Sequence, residues 1–242
     1  MIEVKNLTKK YGNHFAVNDI SFTIEKGQIC GFLGANGAGK STTMNILAGY
    51  LAPTAGEVKM NGYLLGQDNF ALKKCIGYLP ENPPLYHDML VKEYLDFVAC
   101  LKKIPKADKN SELETVMKQV GISNVSDRLI GNLSKGYQQR IGIAQALLGK
   151  PEIIILDEPT VGLDPKQMKE IRMLIKGLKG KHTVIFSSHI LSEISAVCDS
   201  VLVIDKGKIL TTDAMDKAKK SKISLEDVYL ELINENTAGE EE

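Results

Sequence analysis

The octapeptide Gly34-Ala-Asn-Gly-Ala-Gly-Lys40-Ser41 limits what this chain can fold into more than any other stretch of it. It fits G-x-x-x-x-G-K-[ST] and stands between a compact apolar run, residues 28–33, and a helix-like stretch, residues 42–48. Glycines let successive backbone N–H groups turn inward into an anion nest, and a helix N-terminus adds partial positive charge. Lys40 is then placed to reach β- and γ-phosphates, and Ser41 to ligand Mg²⁺. Strand, glycine loop and helix form one connected unit, and its expected ligand is a nucleotide phosphate.

A second constellation fits the first. Residues 153–156 read as a buried strand that ends in Asp157-Glu158, and open α/β sheets put their ligand crevice at such strand ends. Asp157 would hold Mg²⁺ through water or Ser41, while Glu158 can accept a proton from the attacking water or orient it. Taken alone, the two acids could merely cap the strand before Pro159; beside a phosphate loop the chemical reading is preferred. His189 follows the next buried strand, residues 183–187, so it should emerge on the same edge and reach the γ-phosphate.

The rest of the chain supplies the frame. Residues 2–7, 16–24 and 58–60 alternate with period two and break at Asn61-Gly62, the signal of antiparallel strands. From about residue 91 to 150 the spacing is helical, with Tyr94, Leu95, Val98 and Leu101 in one set and Leu113, Val116, Met117 and Val120 in another. Pro105 and Gly121 separate these helices. Beyond Pro151, strands (153–156, 183–187, 201–204) alternate with helices (166–178, 192–197), which argues a parallel sheet covered on both faces. The expected fold is α/β: a P-loop NTPase core with a mainly parallel sheet, an N-terminal antiparallel β subdomain and an inserted helical subdomain. We take residues 1–242 as a single domain, with the helical part at about 88–150 and a C-terminal helix and tail at about 211–242. Residues 234–242 are expected to be structureless.

Charge and composition narrow the partners. Thirty basic and thirty acidic residues cancel, and only Arg128, Arg140 and Arg172 are arginines, so the basic excess typical of a nucleic-acid binder is missing and no nucleic acid is expected. No apolar run approaches the roughly 20 residues of a membrane span, and the polar N-terminus lacks the apolar segment of a secretion signal. The expected location is the cytoplasm, with any membrane attachment through a partner. Cys30, Cys75, Cys100 and Cys198 lie far apart, without C-x-x-C pairing, and read as reduced packing residues.

One further motif does not close on itself. Leu133-Ser134-Lys135-Gly136-Tyr137 opens an apolar helix; Ser134 suits an N-cap, and Gly136 leaves backbone N–H groups open to an anion. The chain cannot easily bring this second anion site to its own phosphates, because the inserted helices separate the two. Here the sequence resembles the ATP-binding subunit of ABC transporters, whose signature loop completes the nucleotide site of the opposite subunit. The resemblance covers residues 1 to about 210 and includes the motifs in the family's order.

It implies ATP and Mg²⁺ as cofactors. Tyr11 would stack on adenine with Val17 packed beside it, and Gly34, Asn36, Gly37, Ala38, Gly39, Lys40, Ser41 and Thr42 would form the phosphate loop. Ser41, Asp157 and Glu81 would serve the metal; Glu158 would be the general base and His189 the switch histidine. Ser134, Lys135, Gly136 and Tyr137 would act in trans, and Asp164, within Gly162-Leu163-Asp164, would couple the two sites of a homodimer or of a paired ATPase subunit. The remaining implied partner is an integral membrane permease, which would hold the chain on the inner face of the cell membrane. Leu85, Tyr86 and Phe97 of the helical insert are the apolar candidates for docking it.

Two motifs depart from the family pattern. Glu81 follows Pro80 where a glutamine is common; a carboxylate can approach Mg²⁺ but cannot donate a hydrogen bond to water. The signature reads Leu-Ser-Lys-Gly-Tyr, and together with the tail Ser224-Leu-Glu-Asp-Val-Tyr it resembles the branch serving ABC-2-type exporters. The alternatives are a soluble ABC-type ATP switch, which usually carries two nucleotide domains or a basic surface, and a small-molecule kinase, which needs no signature loop.

Overall fold

Apolar alternation near the N-terminus builds the first sheet. In the computed structural model, which describes residues 1–238, β1 (Ile2–Tyr11) and β2 (His14–Ile24) pair antiparallel. The chain then leaves this sheet through β3 (Ile29–Leu33), every residue of which is buried, and turns at the glycine loop into α1 (Lys40–Leu47). It returns as β4 (Ala55–Met60) against β1, with β5 (Tyr63–Leu64) at the edge, giving the order β2-β1-β4-β5.

α2 (Asn69–Cys75) leads to β6 (Ile76–Leu79), and the insert follows as α3 (Val91–Leu101), α4 (Lys106–Val120) and α5 (Lys135–Leu147). β7 (Ile153–Asp157), α6 (Pro165–Lys176), β8 (Thr183–Ser188), α7 (Leu191–Val197) and β9 (Ser200–Asp205) complete the alternation. β10 (Lys208–Thr211), α8 (Ala214–Ser221) and α9 (Leu225–Ala238) close the described chain. The second sheet has the order β10-β9-β3-β8-β7-β6; all its pairings are parallel except β10 with β9.

Successive side chains of a strand face opposite ways, and the parallel sheet uses this to separate two cores. Cys30 and Phe32 of β3, with Ile153 and Ile155 of β7, pack with α1 and the antiparallel sheet. Ile29 and Leu33, with Ile154 and Leu156, face the insert and the C-terminal helices. Phe32 meets Phe22 edge-on at 5.5 Å between ring centroids and joins the two sheets; its full burial contributes about 2–3 kcal/mol. The helices of the insert are tied to one another at its C-terminal end. Lys102 donates to the carbonyls of Gln145 (2.9 Å), Ala146 (3.3 Å) and Leu148 (2.6 Å), capping the C-terminus of α5. Burial pushes this amine down to about 8, partly offset by the charge of Glu112.

The structure differs from the sequence reading in three places. α2 and α8 were not expected; they are seven and eight residues long and bury little, Leu72 in α2 and Ala214 and Ala218 in α8, so each offers few apolar positions to read. Leu85, expected to be exposed, is buried at 8% exposure, while Tyr86 and Phe97 do reach the surface. The C-terminal helix runs on through residues 234–238, where no structure was expected. It is anchored by buried Leu225 and Val228, and Asn236 Nδ2 donates to Asp205 Oδ2 at 3.0 Å. Residues 239–242 of that expectation lie outside the described residues. Among the described residues, no helix is long and apolar enough to cross a membrane.

Candidate nucleotide site

Strand register brings the expected groups together. β8 lies between β3 and β7, with Leu33 opposite Ser188 and Asp157 opposite Ser187, so the three strands end level at their carboxyl edge. The glycine loop leaves from β3, Glu158 from β7 and His189 from β8. They line one cavity of about 290 Å³ together with Asn36, Ser41, Thr42, Glu81 and Ala16.

Gly39 takes φ +106°, and a Cβ there would lie 2.5 Å from the carbonyl oxygen of Ala16, so only glycine fits between the loop and β2. Lys40 follows as the first residue of α1. Its ammonium donates to the carbonyls of Gly34 (2.7 Å) and Ala35 (3.1 Å) and lies 3.3 Å from Glu158 Oε1, off the line of a hydrogen bond. The first N–H groups of α1 have no acceptor within their own helix, which makes this end of the cavity electropositive.

Glu158 is 5% exposed and sits in the left-handed region at φ +47°, an uncommon conformation for a residue with a side chain. Its N–H donates to Ser187 Oγ (2.8 Å), and that hydroxyl donates to Asp157 Oδ1 (2.6 Å). Its carboxylate Oε2 is 3.0 Å from His189 Nδ1. Acid, imidazole and ammonium thus converge where a terminal phosphate would sit. A roomier groove of about 710 Å³ between β2 and β10 has one acid, Asp19, and one lysine, Lys208, and assembles nothing comparable.

A family profile described as ABC transporter matches residues 17–161. The chain belongs to the ABC transporter family. It is 40% identical over 222 residues to the bacitracin transport ATP-binding protein BcrA of Bacillus licheniformis, covering 91% of this chain and 72% of that protein. Among solved structures, an ATP-binding subunit of an ABC transporter superposes with TM-score 0.86 at 28% identity, covering 96% of this chain and 99% of that one. A dimeric ATP-binding cassette in a post-hydrolysis state with ADP and Pi superposes with TM-score 0.77 at 26% identity, covering 86% and 96%. This ABC chain is an ATPase and an ATP-binding subunit of a transporter.

The remaining expected residues of this ABC ATPase are distributed as follows. Tyr11 ends β1, half exposed, with Lys9 Nζ 5.2 Å from its ring centre, and is not part of the cavity wall. Val17 is fully buried in the core beneath β1; the neighbouring Ala16 faces the phosphate cavity instead. Gly34 and Ala38 are buried behind the loop, and Asp157 is 2% exposed beside Ser187.

Ser134, Lys135, Gly136 and Tyr137 are absent from the cavity wall. Ser134 precedes α5 at the N-cap position, yet its side chain makes no capping bond, contrary to the expectation. Lys135 lies over Gly162, and a Cβ on Gly136 would meet the side chain of Gln167 at 2.7 Å. Asp164 caps α6, accepting from the N–H of Gln167 at 2.9 Å. The signature segment of this chain therefore packs on its own Asp164 turn, and the Tyr137 hydroxyl accepts from Asn124 at 3.3 Å.

Sequence reasoning missed Ser187, Thr160 and Glu193. Thr160 donates to Glu193 Oε2 (2.6 Å), as does Ser188 (3.0 Å), behind the carboxyl edge of β7 and β8. The available signal was a glutamate four residues after His189 at a position that the helical period turns inward.

Proposed function

We propose that the chain pairs head to tail with a second ATPase subunit and powers a separate membrane permease, an exporter of the ABC-2 type. One observation carries the pairing: Ser134, Lys135, Gly136 and Tyr137, at the start of α5, line no part of the cavity formed by the glycine loop, Glu158 and His189 of their own chain. A second copy would bring that anion site to the γ-phosphate, so ATP binds the closed pair better than the open one and drives closure.

In this reading water attacks the γ-phosphorus, the bond to the β,γ-bridging oxygen breaks, and ADP leaves with its electron pair. Glu158 takes the proton, His189 holds the carboxylate and the phosphate in line, and Lys40 carries charge on the β- and γ-oxygens. Ser41, Asp157 and Glu81 form an all-oxygen set suited to Mg²⁺, which coordinates few side chains and shares its shell with substrate phosphates. Mg²⁺ would supply neutralisation of phosphate charge.

Tyr86 (52% exposed) and Phe97 (37%), with ring centroids 5.7 Å apart on the insert, are the docking candidates for the permease. The chain then works at the inner face of the cell membrane, held there by that partner. Export is supported by the resemblance of the signature and tail to the ABC-2-type branch. The test is gentle detergent purification of tagged chain from native membranes with mass spectrometry of what remains bound. A polytopic membrane protein in equal amount is expected; ribosomal proteins or only soluble partners would overturn the transporter pairing.

A further inference from the structure

Glu193 is a fully buried acid that takes no part in the chemistry above. It sits on α7, 0% exposed, four residues past His189. Its Oε2 accepts both the Thr160 hydroxyl (2.6 Å) and the Ser188 hydroxyl (3.0 Å), while Oε1 is buried without a hydrogen-bond partner. As a mere filler of space it is a poor choice, because a buried carboxylate loses hydration that a methionine would never have had.

Its two donors are what make it informative. Thr160 follows Glu158 by two residues, and Ser188 immediately precedes His189. Ser187 already bridges the ends of β7 and β8 on one side, through the Asp157 carboxylate and the Glu158 N–H. The Glu193 carboxylate forms a second bridge between the same two turns, and the Glu158–His189 contact at 3.0 Å lies beyond it. Hydrogen bonds to an ionised acceptor are roughly twice as strong as neutral ones, so one oxygen receiving two hydroxyls makes a stiff joint.

We propose that Glu193 is a positioning residue that clamps the turns after β7 and β8 so that Glu158 and His189 keep their mutual geometry at the γ-phosphate. It touches no reacting atom and acts through Thr160 and Ser188. The inference rests on the proposed roles of Glu158 and His189.

The test measures steady-state turnover and ATP affinity of the full chain in Glu193→Ala, Glu193→Gln and Thr160→Val, with Glu158→Gln as control. Glu193→Ala and Thr160→Val should lower kcat roughly 10- to 100-fold, as displacements near 1 Å do, and leave ATP affinity within about threefold. Glu193→Gln retains an oxygen able to accept both hydroxyls and should recover most of kcat. Wild-type kcat in Glu193→Ala overturns the clamp, as does a parallel fall of kcat, affinity and melting temperature, which marks a purely structural residue. Should Glu193→Ala not fold, the near-isosteric Thr160→Val decides by the same criteria. A Glu158→Gln control with full turnover would sink the underlying reading; a dead control beside an unaffected Glu193→Ala would sink the clamp alone.

Discussion

Glu158 Oε1 lies 3.3 Å from Lys40 Nζ, with both side chains almost wholly buried, so the proposed base and the phosphate-binding cation hold each other at the site. Phosphate oxygens compete for that same ammonium. Under the proposed function, nucleotide entry would redirect Lys40 and leave Glu158 with His189, tying readiness for hydrolysis to occupancy.

Glu158→Gln removes the proton acceptor but keeps the shape. Turnover should fall at least about 100-fold, with ATP affinity retained. An ATP-dependent dimer should accumulate on a sizing column; a mutant that stays monomeric with ATP would remove the shared-site mechanism.

Lys40→Ala should weaken ATP binding at least about tenfold, since it deletes a cation aimed at the phosphates. It also leaves the buried Glu158 carboxylate without its ammonium, which should cost about 1–3 kcal/mol of stability in the absence of nucleotide. Adding Glu158→Gln should restore that stability without restoring ATP binding, as read by chemical denaturation and a binding titration.

Gly136→Ala places a methyl group at a buried position in the first turn of α5, against a Gln167 side chain that can swing aside. Stability should change by less than about 1 kcal/mol and binding of ATP to the single chain should persist. The ATP-dependent dimer should be weakened, because displacing Gln167 disturbs the loop proposed to receive the other subunit's phosphate. Unchanged dimerisation would argue that this loop does not complete a site.

Lys102 gives a pH signature. Its folded-state value, pushed by burial down to about 8, lies below the ordinary 10.5, so between those limits the unfolded chain binds the extra proton. Stability from this group therefore rises as pH increases from about 8 to 10.5, by up to about 3 kcal/mol. Lys102→Met cannot titrate, and the wild-type minus variant difference in unfolding free energy should show that slope. A flat difference would mean the three carbonyls keep the amine charged throughout.

Glu81→Gln supplies a donor that the carboxylate lacks, at a position on the cavity wall. ATP affinity should hold within about twofold, while permease-stimulated turnover changes by at least about threefold. Equal turnover in membranes would make the substitution neutral.

The local units of this protein could be read in advance because their physics is local. Gly34 to Ser41 between an apolar strand and a helix needs no distant contact to be recognised, and acids or a histidine at the end of a buried strand must emerge at the ligand edge. What escaped reading turned on register or on long-range pairing. Val17 and Ala16 are neighbours on β2, where a shift of one residue exchanges core for cavity, and only the bulged pairing with β1 settles which is which. Leu85 looked available for docking until the insert folded over it. Residues 234–238 looked too polar for structure, and a contact with Asp205 on β9 helps hold them in the helix.

By itself the sequence determined the phosphate loop, the acid pair, the histidine and the layered α/β frame, because each is encoded by the period and residue type of a continuous segment. The tertiary structure alone decided that Lys40 faces Glu158, that Ser187 and Glu193 bridge β7 to β8, and that Lys135 rests on Gly162. Apart from Ser188 with Glu193, those relations join residues 27 to 118 positions apart, and folding of the whole α/β frame, not any one segment, brings them together.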